Sequence, residues 1–99
     1  MYYPVTIAAI RGAIKQEAPT TVSQCTKLAK KTIAPLSYLL WMCDEVERMD
    51  YSSPDAAFKA ARWIGWVLAH AELRGLLDNN RSRDLVREDK QKGFDAPHR

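Results

Sequence analysis

Apolar residues recur at helical spacing along nearly the whole chain, and nowhere do apolar and polar residues alternate over the length of a strand. That pattern restricts these 99 residues to an all-α fold. Tyr3, Ile7, Ile10 and Ile14 form one stripe of a first helix. It opens at Pro4, where a missing N–H costs nothing, and Pro19 stops it near Ala18. Thr21 or Ser23 is placed to cap a second helix reaching Pro35. Val22, Cys25, Leu28, Ala29 and Thr32 would face inward there, with Lys27, Lys30 and Lys31 outward.

From about Leu36 to Met49 the chain is apolar almost all round, which suits a helix enclosed by others. Asp44, Glu45 and Glu47 sit at its C-terminal half, where the helix dipole disfavours acids. A basic neighbour or simple solvation must offset them. Ser53-Pro54-Asp55 then reads as N-cap, first residue and first-turn acid of a long helix to about Arg74, stopped by Gly75. Asp78 caps a last helix to about Lys92, closed by Gly93. Apart from Leu85 and Val86 this last helix is mostly charged, and it is expected to be the least firmly attached. The expectation is a compact domain of four or five helices, orthogonal or bundle-like, centred on residues 36–49 and 54–74. Residues 1–93 form the single helical domain and 94–99 a flexible tail.

Composition narrows the function classes. Apolar residues make up 46% and charged residues 27%, which is globular and not disordered composition. The longest apolar run, Tyr38 to Cys43, falls far short of the roughly 20 residues that span a bilayer. No basic start precedes an apolar run, so a soluble, cytoplasmic protein without a membrane partner is expected. Cys25 and Cys43, 18 positions apart, form no CxxC pair, and neither His70 nor His98 stands at ligand spacing to them. They read as small buried hydrophobes, and no metal or cofactor is expected. With no recognisable catalytic motif and four glycines in all, no catalytic residue is assigned and no small-molecule substrate is indicated.

Leu28-Ala29-Lys30-Lys31-Thr32, followed by Ser37-Tyr38-Leu39, resembles the helix-turn-helix of phage-repressor-type regulators. The resemblance covers residues 25–44. It implies a close helix contact at Ala29 and packing by Leu28, Leu39 and Met42. It also implies DNA binding through residues 23–43, with Lys27, Lys30, Lys31, Ser37 and Tyr38 toward the duplex. Phosphate neutralisation would draw on those lysines together with Arg11 and Lys15.

The long helix carries the other candidate surface. Ala57, Phe58, Ala61, Ile64, Gly65, Leu68 and Ala71 read as its core stripe. Lys59, Trp63, Trp66, His70, Leu73 and Arg74 form a second line where solvent-facing Lys and Glu would be ordinary. Trp and Arg are the types most enriched at binding hot spots. Either the helix at 36–49 covers this line or a partner does, most simply a second copy. The expected function is a small non-catalytic intracellular binding or regulatory protein acting through a helical protein–protein surface. Its style suits a bacterial or phage accessory protein. A helix-turn-helix DNA-binding regulator is the alternative.

Overall fold

The computed structural model describes residues 1–95 and is all-α: α1 (Pro4–Glu17), α2 (Leu36–Glu47), α3 (Pro54–Leu73) and α4 (Asn79–Gln91). The helices pack as two pairs, α1 with α4 and α2 with α3, joined where α1 meets α2. Buried side chains from α1, α2 and α3 form one core, including Ile7, Ile10, Ile14, Leu39, Cys43, Val46, Ile64 and Val67.

The second helix expected over residues 21–34 does not form. Residues 18–35 run as an irregular strap with a turn at Lys30–Lys31, where Lys31 adopts φ 62°. The segment is rich in Thr, Ser, Val and Ile, which lose rotamer freedom or compete for backbone hydrogen bonds in a helix. Helices in proteins draw most of their stability from burying one face. Here Val22 is 71% exposed and Ile33 44%, so no such face is buried. The strap is instead pinned at points. The Gln24 N–H donates to the Ser37 carbonyl at 3.0 Å, Leu28 packs against the core, and Ala34 is fully buried.

The Tyr3–Ile7–Ile10–Ile14 stripe is buried as the spacing requires. The start of α1 is less ordinary. Tyr3 sits at the cap position with φ 52° and offers no side-chain cap. The cap comes from α4: Asp89, wholly buried, accepts from the Val5 N–H at 3.0 Å, the Thr6 N–H at 2.9 Å and the Thr6 hydroxyl at 2.6 Å. A carboxylate at a helix N-terminus satisfies orphan N–H groups and complements the dipole. Next to this latch, the Tyr3 N–H donates to the Phe94 carbonyl, the Phe94 N–H to the Asp89 carbonyl, and the Tyr51 hydroxyl to the Gly93 carbonyl. The mostly charged α4 is therefore held by a polar lock, contrary to the loose attachment expected of it. The expected tail begins with residues that are tied in, since Phe94 and Asp95 are half-buried; positions 96–99 lie outside the described residues.

The acids of α2 find their basic neighbour in Arg11 of α1, which pairs with Asp44 at 2.7 Å and with Glu47. Burial acts to raise the Asp44 carboxyl, but hydrogen bonds from Ser23 and Arg11 outweigh it and hold the group below its ordinary value. The cysteines divide. Cys43 lies in the core, and burial pushes its thiol up to about 12. Cys25 stands exposed on the strap, where a buried residue was expected.

Candidate functional site

The long helix α3 is started as its sequence dictates. The Ser53 hydroxyl accepts from the Ala56 N–H at 3.4 Å, Pro54 opens the first turn, and Asp55 lies in it. Its buried residues are Ala60, Ile64, Val67, Leu68 and Ala71. The core stripe expected from the sequence is thus rotated: Phe58, Ala61 and Gly65 face solvent. At about 100° per residue, the buried arc centres near Ala60 and Ala71, with Leu68 to one side and Trp63, Trp66 and His70 flanking the other. Taking Phe58 as a core anchor placed that centre too far round. The aromatic line is adjacent to the core, not opposite it.

That flank meets α2. Tyr38 lies 5.4 Å from Trp41 and 5.7 Å from Trp66 between ring centroids, and Trp41 lies 5.9 Å from Trp63. Such tilted arrangements suit the quadrupoles of the rings. All four are half-buried, so the structure brings Trp63 and Trp66 together with Tyr38 in one intramolecular cluster. The Lys59 ammonium sits over the Trp63 ring, 5.1 Å from its centroid, a cation–π contact.

His70 and Arg74 act on the strap. The Ala34 N–H donates to His70 Nδ1 at 3.0 Å, and Arg74 Nε donates to the Ala34 carbonyl at 2.6 Å. One backbone unit is gripped from both ends. Because Nδ1 accepts, the neutral imidazole carries its proton on Nε2. Its ring stacks on Trp66 at 3.8 Å between centroids. Burial, and then the Arg74 charge, hold His70 below its ordinary pKa, which favours this neutral form. Leu28, Ile33, Trp66, His70 and Leu73 help to line a hollow of about 360 Å³ beneath the strap.

Lys27, Lys30 and Lys31 are exposed but lie on the strap and not on a helix. Ser37 and Tyr38 lie in the first turn of α2, where Tyr38 belongs to the aromatic cluster. The structure therefore separates the five residues assigned to DNA contact into two local settings. Of the six on the aromatic line, Trp63, Trp66 and His70 are partly covered, Lys59 and Arg74 border them, and Leu73 is 65% exposed.

Sequence reasoning missed the outward side of α3. Phe58 is 75% exposed. Ala61, Gly65 and Ala69 continue from it along the exposed side toward Leu73, with Asp55, Arg62 and Glu72 the charged residues on the same side. The available signal was the scarcity of charge at positions 58, 61, 65, 69 and 73, once the core arc is centred correctly.

Among the described residues no helix is long and apolar enough to cross a membrane. Among them, too, no three His, Cys, Asp or Glu side chains group as metal ligands would. No protein-family model, curated protein or solved structure matches this chain.

Proposed function

We propose that this chain is a small non-catalytic binding protein and that the outward face of α3 is the surface it presents to another protein, a second copy first of all. One observation carries the reading. Among the described residues, Phe58 and Leu73 are the large apolar side chains that a helix leaves well exposed, and both stand on this one face. They are 15 positions apart, about 22 Å along the axis. The small residues between them allow close approach of another helix. An antiparallel pairing about a twofold axis near Gly65 sets Phe58 of one copy opposite Leu73 of the other, so each end anchor receives a partner.

Sedimentation of the wild type and of Phe58→Glu tests it. Exposed positions tolerate substitution within about 0.5 kcal/mol, so the variant protomer keeps its melting temperature. A buried charge at a hot spot weakens association roughly 30-fold or more. A wild type that stays monomeric as its concentration rises overturns the self-pairing.

Duplex binding is the second reading, and one observation favours it. Residues 18–35 carry Lys27, Lys30 and Lys31, all exposed, and no acidic residue. This reading uses an extended basic segment where the resemblance implied a helix. Absence of duplex binding at low salt, where phosphate attraction is strongest, would eliminate it.

A further inference from the structure

A second concavity lies away from the aromatic cluster, between α3 and α4. It holds about 460 Å³, and Gly65 and Leu68 on one bank face Ser82 and Val86 on the other. Above Gly65 a Cβ would meet nothing within 4 Å, so that bank is open. Arg83, Arg87 and Lys90 also line it. They stand at i, i+4 and i+7 of α4 and so share one side of that helix. Glu72, on the α3 bank, is the single carboxylate of the lining. Arg87 makes one loose exposed pair, with Asp84 at 3.6 Å.

Ser82 supplies the independent observation. It is 4% exposed, and its Oγ is shut off from solvent with no hydrogen-bond partner. A buried hydroxyl left unpaired costs free energy, and such orphans call for a partner. Ser82 itself lines the groove, and its χ1 has three staggered wells in which to orient the hydroxyl. An anionic oxygen seated there gives it the acceptor it lacks, while the three cations supply charge and Leu68 and Val86 an apolar bed.

We propose that this groove binds a small phosphate monoester with a short apolar body, its head on Ser82, Arg83, Arg87 and Lys90. Glu72 on the opposite bank repels the head toward α4. The volume suits a small ligand, since such sites run from about 300 to 1,000 Å³. The site adjoins the face proposed for protein pairing, sharing Gly65 at its rim, but its anion-binding side lies on α4 and does not rest on that reading.

Phenyl phosphate is the probe, with inorganic phosphate and phenol as its two halves, followed by backbone amide shifts. Phenyl phosphate should give saturable shifts at Gly65, Leu68, Ser82 and Val86, inorganic phosphate weaker ones at Ser82 alone, and phenol none. Arg87→Gln and Ser82→Ala should each weaken binding about tenfold, the loss of one hydrogen bond to a charged group. Ser82→Ala should at the same time leave the free protein as stable or more stable, because it removes an unpaired buried group. If Ser82→Ala lowers the melting temperature, its hydroxyl has a partner within the fold and the proposal fails. It fails equally if the ions shift Lys15, Lys27 and Lys30 as much as Ser82, since that is unspecific screening.

Discussion

The two helix pairs are joined by opposite kinds of chemistry. Between α1 and α4 the bond is polar, narrow and buried: one carboxylate, Asp89, takes three hydrogen bonds from Val5 and Thr6. Between α2 and α3 it is broad and aromatic, with Tyr38, Trp41, Trp63 and Trp66 half-buried side by side. A directional lock depends on every partner being in place. A packed aromatic surface tolerates small shifts and fails in proportion to the area lost. The most charged helix of the molecule thus takes its main polar hold from one residue, beside buried Leu85 and the bonds at Gly93 and Phe94, and the most apolar pair still leaves part of its surface to solvent.

Breaking the polar lock should have the largest effect. Asp89→Ala leaves two backbone donors and a hydroxyl buried without acceptors, at about 1–3 kcal/mol for each group left unsatisfied. A total loss of about 3 kcal/mol lowers the melting temperature by more than about 10 °C in a domain of this size. A melting temperature within a few degrees of wild type would show that water replaces the carboxylate and that the lock is weaker than its geometry. Trp66→Ala should come next. Full burial of a Trp makes truncation cost about 3–5 kcal/mol, and half-burial reduces that to about 2 kcal/mol. A larger fall than that of Asp89→Ala would reverse the ranking of the two joints.

The smallest effect is local and depends on pH. His70 is held below its ordinary value of about 6.5, so its contribution is present above that pH and is lost as pH falls through the lower folded value. Protonation turns the Nδ1 acceptor into a donor, which ends the bond from the Ala34 N–H. The protection factor of the Ala34 amide, which allows for the slower intrinsic exchange in acid, should therefore fall on acidification below about pH 6.5, while amides of α1 remain protected. Lys31, which lines the same hollow, and Arg74 add positive charge near the ring and work in the same direction. A protection factor at Ala34 that is unchanged by acid would show that Arg74 alone holds the strap.

The candidate sites were legible in unequal measure. Trp63, Trp66 and His70 stood out because bulky aromatic residues recurred where charged ones are ordinary. That α2 covers them was not legible, since the sequence does not say which of two faces a neighbouring helix meets. Phe58 was misplaced for the same reason: an apolar residue at helical spacing looks like core until the rotation of its helix is known. The grip of His70 and Arg74 on Ala34 joins residues 36 and 40 positions apart, and no local pattern encodes such a pair.

Periodicity determined the all-α class and the α1 stripe, and local capping residues the starts of α1, α3 and α4. These rest on interactions within a few residues, where Pro at a first turn or Ser53 and Asp78 at a cap act on their own helix. The tertiary structure decided the rest. It left residues 21–34 unfolded as a strap, because no partner surface was there to bury their apolar side. It fastened α4 through Asp89, because a carboxylate that looks like one more surface charge in sequence gains its value only where another helix leaves its first N–H groups unpaired.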